Sequence, residues 1–224
     1  MKKLLYEHWY KKRVNKIINL FGEDWFANKK ILELGAAHGD IGIEFLKLGS
    51  SVLFTDARQE YLDTIISTLA EKSYTPKTLL LDQNTEYNIA ENFDLVLHLG
   101  VLYHLKNWKE DLKCALSHTN TMILETAVMP KNVIDQVKEN KTTSQYGPVN
   151  NEFVQFTQES VEKVLTDLGC KYIRFDNAEL NYKFSPDTVE IRISHIYDWN
   201  YNTAWTYNIP NHEVHYRRMW LVLK

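Results

Sequence analysis

Apolar residues alternate along the chain between short continuous runs and longer stretches in which they recur every three to four residues. The runs are typical of β-strands, and the longer stretches are typical of amphipathic helices. The pattern predicts strands at residues 31–34, 51–55, 78–81, 93–98, 121–125, 171–175 and 218–223. It predicts helices at residues 3–21, 40–48, 59–72, 107–117 and 157–168, with Asp40, Asn107 and Thr157 as capping residues.

This order of strands and helices predicts an α/β protein with a mostly parallel sheet covered on both faces. The run Leu79-Leu80-Leu81 is continuously apolar, as expected for a strand buried on both faces. Ligands of such sheets bind beyond the carboxyl ends of the strands, where the strand order reverses. The residues that follow each strand are therefore the place to look for chemistry.

The length of 224 residues predicts a single domain spanning residues 1–224, with a helical N-terminal segment at 1–28. Two connections, at 127–156 and 177–214, are longer than a minimal α/β unit needs. The second contains seven Tyr, Trp and Phe residues, which argues against disorder. We interpret it as an insertion or lid over a ligand pocket, or equally as a hydrophobic cluster that anchors a long connection.

Composition and charge narrow the class of protein. Hydrophobic residues make up 44% and charged residues 25%, as in ordinary globular proteins. No apolar stretch is long enough to predict a membrane span. The net charge of −3 argues against binding to nucleic acid by bulk charge alone. The two cysteines form no metal or redox motif, and they favour a reducing, cytoplasmic setting.

The strongest chemical pattern follows the first two strands. Glu33-Leu34-Gly35-Ala36-Ala37-His38-Gly39 predicts a glycine turn between a strand and a helix, which lets a ligand approach the backbone. Asp56 follows the second strand, 21 residues beyond Gly35. An acidic residue at that distance can accept both hydrogen bonds of a ribose diol. Together the two features predict a nucleoside ligand.

Polar residues also follow the third and fourth strands. Asp82 and Gln83 could meet the amino group and a ring nitrogen of adenine, or could simply form a capped loop. His98, Tyr103 and His104 gather where the reactive end of the ligand is expected.

The segments ILELGAAHGDIG, FTDAR, LDQN, FDLVLHLGVLYHL and ILETAV, in this order and spacing, resemble class I S-adenosylmethionine-dependent methyltransferases. The resemblance covers roughly residues 29–126. It implies a Rossmann-like three-layer sandwich with a seven-stranded sheet whose last strand is antiparallel. Over about 30 residues, GVLYHL followed by LET also resembles the tRNA wobble-uridine carboxymethyltransferases and their relatives.

The resemblance implies S-adenosyl-L-methionine as the cofactor. The matching positions for its binding are Glu33, Gly35, Ala36 and Gly39 for the methionine part, Asp56 and Ala57 for the ribose, Asp82 and Gln83 for adenine, and Leu99 and Gly100 for the amino-acid end. The chain departs from the family pattern at Ala37, where the central glycine of the turn is expected.

Methyl transfer from a sulfonium mainly requires that the acceptor be positioned and water excluded. A base is needed only when the acceptor must lose a proton. We predict His98, Tyr103 and His104 as the catalytic residues, although a packing role for His104 is an equal alternative. The spacing of His195, His212 and His215 fits no metal-ligand pair, so no metal is expected.

Three functions follow from these observations. The small size, acidic balance and aromatic insertion favour a methyltransferase with a small-molecule acceptor. The motif GVLYHL with LET, and a basic segment at residues 2–16, favour an enzyme that transfers a methyl or carboxymethyl group to a tRNA base. The substitution at Ala37 is the one feature that favours a non-catalytic cofactor-binding module. No membrane partner is expected, and the oligomeric state is left open.

Overall fold

The computed structural model describes residues 2–128, 154, 157–175 and 216–224. We number the described elements in chain order. The helices are α1 (Lys2–Phe21), α2 (Asp40–Lys47), α3 (Gln59–Ala70), α4 (Trp108–Ser117) and α5 (Gln158–Asp167), with 3-10 turns at Glu23–Phe26 and Leu102–His104. The strands are β1 (Lys30–Leu34), β2 (Ser51–Asp56), β3 (Lys77–Leu80), β4 (Leu95–Leu99), β5 (Thr121–Val128), β6 (Lys171–Phe175) and β7 (Tyr216–Leu223). The predicted insertion at 177–214, with its three histidines, lies outside the described residues.

The strands form one sheet in the order β3-β2-β1-β4-β5-β7-β6. β7 runs antiparallel to both β5 and β6, and the other neighbours are parallel. This confirms the predicted fold, including its antiparallel last strand. The strand order reverses at β1, where Leu34 lies between Thr55 of β2 and His98 of β4. Ligands of open α/β sheets bind above such a reversal.

Two hydrophobic layers cover the sheet because successive side chains of a strand point to opposite faces. One layer contains Ile17 of α1, Phe45 of α2 and Leu69 of α3. The other contains Leu112 of α4 and Leu165 of α5. The sheet is therefore buried between two sets of helices. Among the described residues, no helix is long and apolar enough to cross a membrane.

Strand β3 differs from the expectation drawn from its apolar sequence. Leu79 and Leu80 are 38% and 55% exposed, and only Leu81 is buried. The physical reason is position, because β3 is the end strand of the sheet and has a neighbour on one side within the described chain. An apolar run identifies a strand without identifying its place in the sheet.

The capping predictions had mixed outcomes. Thr157 caps α5 by accepting a hydrogen bond from the Ser160 N–H at 3.1 Å. The predicted cap Asp40 is instead the first residue of α2, and Gly39 is the N-cap because its left-handed backbone ends the preceding turn. Asn107 makes no side-chain cap, since its amide donates to the Asn84 carbonyl at 2.8 Å.

Replacing Gly42 with alanine is expected to destabilise the fold although alanine is the better helix former. A Cβ on Gly42 of α2 would overlap the Glu33 carboxylate and lie 2.5 Å from a ring carbon of Phe54. Both neighbours are buried, so Gly42→Ala should lower the free energy of unfolding by about 1–3 kcal/mol in urea titrations. The exposed control Ser67→Ala on α3 should change it by less than about 0.5 kcal/mol. A Gly42→Ala protein as stable as the wild type would contradict this packing.

Candidate active site

The turn between β1 and α2 has the left-handed backbone that its glycines predicted. The φ angles are +66° at Gly35, +48° at Ala37 and +73° at Gly39. A non-glycine residue in this region costs about 1 kcal/mol, which explains why a glycine is expected where Ala37 stands. A Cβ on Gly35 would lie 2.8 Å from Val101, so the turn packs directly against the segment that follows β4.

Asp56 lies at the carboxyl end of β2, beside this turn. Its two oxygens accept hydrogen bonds from the backbone N–H groups of Ala37 at 2.9 Å and Arg58 at 3.0 Å. Burial raises the pKa of Asp56, and those two N–H groups oppose the shift. Each carboxylate oxygen accepts more than one hydrogen bond, so the side chain can still receive the two hydroxyl groups of a ribose. The chemistry of this edge therefore fits the nucleoside part of the predicted cofactor.

The two alanines assigned to the cofactor flank this carboxylate. Ala36 is buried, and its N–H donates to the Thr55 carbonyl at 2.8 Å, which continues the pairing of β1 with β2 beyond the strand end. Ala57 follows Asp56 directly and is half-buried.

Glu33 lies below the turn in the interior. Its carboxyl group accepts the Gly42 N–H at 3.1 Å and so holds the first turn of α2. Burial raises the pKa of Glu33 to about 8, with a smaller contribution from the nearby acids Asp40 and Asp56. Glu33 is therefore mostly protonated at neutral pH and stabilises the turn from beneath.

The Asp82 side chain is exposed to solvent, whereas the Gln83 side chain is buried in the protein. Asp82 is exposed, and its carboxylate accepts from the backbone and side-chain nitrogens of Asn84 at 2.9 and 3.2 Å. This is the capped loop that the sequence left open as an alternative. Gln83 is buried, and its amide donates to Asp111 at 3.0 Å.

Asp111 of α4 contacts two of the predicted site residues, Gln83 and His98, and was not itself predicted from the sequence. It accepts from Gln83, from the Tyr87 hydroxyl at 3.1 Å, and it lies 2.6 Å from Nε2 of the fully buried His98. Burial and the neighbouring carboxylate raise the pKa of Tyr87. A sequence signal existed, because Asp111 falls at helical spacing among the apolar residues of α4. An acid on an apolar face predicts buried polar partners.

Tyr103 and His104 lie in the 3-10 turn after β4 and are half-buried. Their ring centroids are 4.0 Å apart. The Tyr103 hydroxyl oxygen accepts from Nη1 of Arg217 at 3.4 Å, and the Tyr103 carbonyl accepts from the Val154 N–H at 2.9 Å. The turn is thus connected to β7, which pairs with β5.

The end of β4 is enclosed by residues from both ends of the chain. Leu99 is buried, and Gly100 has a φ of +75° and donates its N–H to the Glu125 carbonyl at 2.8 Å. A Cβ on Gly100 would lie 2.9 Å from Nη2 of Arg217 and 3.5 Å from the ring of Trp9. A side chain at this position would displace the guanidinium group, so the close approach requires glycine.

A buried ion cluster holds these groups beside Gly100. Arg217 donates to both oxygens of Glu125, at 2.6 and 2.5 Å, and Arg13 donates to one of them at 3.2 Å. The Trp9 ring lies 4.9 Å from the Arg13 guanidinium and 5.3 Å from that of Arg217. Burial alone would raise the pKa of Glu125, but the two guanidinium groups outweigh it and lower the pKa.

Sequence analysis missed Arg13 and Arg217 as members of the site. Arg13 belongs to the basic segment at residues 2–16 that favoured an RNA partner, yet it is buried. The signal was its spacing, since Arg13 lies four residues after Trp9 and four before Ile17, on the apolar face of α1. Arg217 follows the long connection and carried no such signal. Within the described residues, no group of three or more His, Cys, Asp or Glu side chains could hold a metal.

The chain is similar to known methyltransferases in sequence and in fold. Residues 6–174 match a family model described as "Methyltransferase domain". Similar solved structures include magnesium protoporphyrin IX methyltransferase from Synechocystis with bound S-adenosylmethionine, at 13% identity, 96% of this chain, 80% of that chain and a TM-score of 0.60. An S-adenosylmethionine-dependent methyltransferase from Clostridium acetobutylicum matches at 13% identity, 96% and 91% coverage and a TM-score of 0.63. The N-terminal domain of EvdMO1, with S-adenosylhomocysteine and D-fucose present, matches at 17% identity over 95% of this chain and 81% of that chain, with a TM-score of 0.64. A comparison with curated proteins finds no match.

The seven-stranded fold and the family match together define a class I S-adenosylmethionine-dependent methyltransferase. The chain belongs to the methyltransferase-domain family, whose model covers most of its length. The predicted class, fold, enzyme activity and cofactor are thereby confirmed. The assignment of individual cofactor and catalytic residues stays a prediction.

Replacing Asp56 with alanine is expected to abolish most cofactor binding. The change removes the predicted acceptor for two ribose hydroxyls and the observed acceptor for the N–H groups of Ala37 and Arg58. Calorimetric affinity for S-adenosylhomocysteine should fall by about 100-fold or more. The control Asp63→Ala removes an exposed carboxylate of α3 and should leave the affinity unchanged. An unchanged affinity in a folded Asp56→Ala protein would exclude Asp56 from the site.

Replacing Glu33 with glutamine is expected to remove a pH dependence of stability. The folded state holds the Glu33 proton up to pH about 8, whereas the unfolded chain releases it near 4.5. Since the folded state binds more protons in this window, its stability falls as pH rises from 5 to 8, by up to about 1.4 kcal/mol per pH unit. Glutamine mimics the protonated acid and can keep the Gly42 hydrogen bond. Urea unfolding should therefore give similar stabilities at pH 5 and a more stable Glu33→Gln protein at pH 8. A constant offset at all pH values would contradict the assignment.

Proposed function

We propose that this methyltransferase transfers the methyl group of S-adenosylmethionine to a small-molecule acceptor. The acceptor would bind above the carboxyl ends of β4 and β5, against α1 and the turn that contains Tyr103. The observation that carries the proposal is the burial of Arg13 and Arg217, the two cations beside Gly100.

An enzyme that holds RNA needs exposed Lys and Arg for the phosphates. Arg13 and Arg217 are buried and share the Glu125 carboxylate. Lys11, on the basic helix that suggested an RNA partner, forms an ion pair with Glu7 at 2.5 Å. With a net charge of −3, these contacts favour a small acceptor over a nucleic acid.

When bound, S-adenosylmethionine supplies a methyl group activated on a positively charged sulfur. On the cofactor side, Asp56 accepts the ribose hydroxyls, and the turn at Gly35–Gly39 lets the ligand approach the backbone. Leu99 and Gly100 offer backbone groups to the amino-acid end. Gly100 is held in place by its bond to the Glu125 carbonyl and by the guanidinium packed against it.

On the acceptor side, Tyr103 and His104 act at the reacting end. Because the Tyr103 oxygen accepts from Arg217, its own proton is directed away from that guanidinium, toward an acceptor atom. His104 is the adjacent group of the type that exchanges protons near neutral pH. His98 is fully buried against Asp111, so we assign it to positioning the end of β4.

The other two functions are retained as outcomes of the test. The tRNA-modifying alternative rests on the motifs GVLYHL and LET, and none of the described contacts adds to it. The non-catalytic alternative rests on Ala37, whose backbone adopts the left-handed conformation despite its methyl group and donates to Asp56 as the site requires.

The test offers the enzyme radiolabelled S-adenosylmethionine with either a metabolite extract or total tRNA. We expect label in the low-molecular-mass fraction. Tyr103→Phe should reduce that labelling by about 10- to 100-fold while leaving the calorimetric affinity for S-adenosylhomocysteine unchanged. The control Tyr172→Phe on β6 should label normally. Label in tRNA would overturn the proposal in favour of the RNA function, and cofactor binding without any labelling would favour the non-catalytic module.

A further inference from the structure

Exposed apolar side chains are concentrated at one end of the sheet. Seven large hydrophobic residues of the described chain are exposed, and four of them belong to α3, β3 and the connection between them. These four, which we call the β3 patch, are Ile66, Tyr74, Leu79 and Leu80. Leu79 and Leu80 are successive residues of β3, so apolar surface is exposed on both faces of the sheet at this strand.

The β3 patch adjoins an open strand edge. β3 pairs with β2 on one side, and no described strand pairs with its other side. Its outer backbone N–H and C=O groups can therefore receive a further strand. An apolar edge of this kind is a template for pairing with another chain.

The charges along β3 identify what that strand would be. Exposed Lys77 is the first residue of β3, and exposed Asp82 and Glu86 lie beyond its end. The turn before the strand exposes one acid and one base, Glu71 and Lys72, which are opposite in sign. When two copies of β3 pair antiparallel, the basic start of each strand therefore approaches the acidic end of the other. Parallel pairing would bring like charges together.

The opposite edge of the sheet lacks this complementarity. β6 exposes Ile173 to the same extent as Leu80, at 56% against 55%. Its sequence Lys171–Phe175 carries two cations and no acid. Arg174 is paired with Glu162 of α5 at 2.9 Å, so Lys171 is the exposed cation of β6, and the strand offers no acid to meet it in a second copy. Exposure alone does not distinguish the two edges, but the order of charges favours β3.

We propose that two copies of this chain associate through antiparallel pairing of their β3 strands, so that the sheet continues across a twofold axis. The axis is perpendicular to the sheet, because only that operation reverses the strand while keeping each side chain on its face. The residue at the axis then faces its own copy, and Leu79 and Leu80 become buried. The proposal does not depend on the identity of the methyl acceptor.

The first test measures the mass of the full-length protein by sedimentation equilibrium at micromolar concentrations. We expect a dimer. Leu80→Lys should weaken it by roughly tenfold or more, because the change removes apolar burial in both halves of the interface. Ile173→Lys, the matched control with equal exposure on the other edge, should leave it unchanged. A monomeric wild type, or a dimer lost with Ile173→Lys and kept with Leu80→Lys, would overturn the proposal.

The second test detects the register of the two β3 strands by disulfide cross-linking. Opposed residues of antiparallel strands have Cα atoms about 4.5–5.5 Å apart, within the range that a disulfide spans. Either Leu79→Cys or Leu80→Cys should therefore form an intermolecular disulfide under mild oxidation, as seen on a non-reducing gel. Ile173→Cys and the wild type, with its half-buried Cys114 and buried Cys170, should remain uncrosslinked. Cross-linking at 173 and at neither 79 nor 80 would place the interface elsewhere.

Discussion

The buried carboxylate of Glu125 is the contact on which the arrangement of α1, β7 and the end of β4 depends. Removing a charge from water is expensive, and the structure offsets this cost with two guanidinium groups in direct contact. The partners come from distant parts of the chain, since Arg13 lies in α1 and Arg217 in β7. Removing Glu125 would leave the two buried guanidinium groups without this carboxylate, at a cost of about 3–5 kcal/mol, and would break the ion pairs that join α1 to β7 beside Gly100.

Three acids near the cofactor edge are used in three ways because their surroundings differ. Glu33 is buried and accepts a hydrogen bond from the Gly42 backbone N–H, and because burial raises its pKa it holds a proton. Glu125 is equally buried, but its cations keep it ionised. Asp56 lies at the edge of the sheet, where backbone N–H groups orient it and leave it able to bind a ligand. The same type of side chain thus braces a turn, anchors a helix and, in the predicted site, accepts the hydroxyls of a ribose.

The predicted site residues fall into two groups, those placed by local strand ends and those whose partners come from distant elements. The turn at Gly35 and the position of Asp56 at the end of β2 could be predicted because both follow directly from local strand ends, while their roles in binding stay predictions. Gln83 and His98 were expected to face the ligand, but their side-chain partner is Asp111, which approaches from a helix later in the chain. The hydrogen bonds of a polar side chain depend on the element packed against it, and no local motif records that element.

The sequence by itself determined the alternation of strands and helices, the left-handed turn after β1 and the class of enzyme, because each follows from residues close together in the chain. Only the tertiary structure decided that β3 is the end strand of the sheet formed by the described residues, that Arg13 is buried and that Glu125 joins α1 to β7. Burial and ion pairing at these positions depend on which elements become neighbours in the sheet. That order is set by packing over the whole chain, so a residue's local pattern does not reveal its partners.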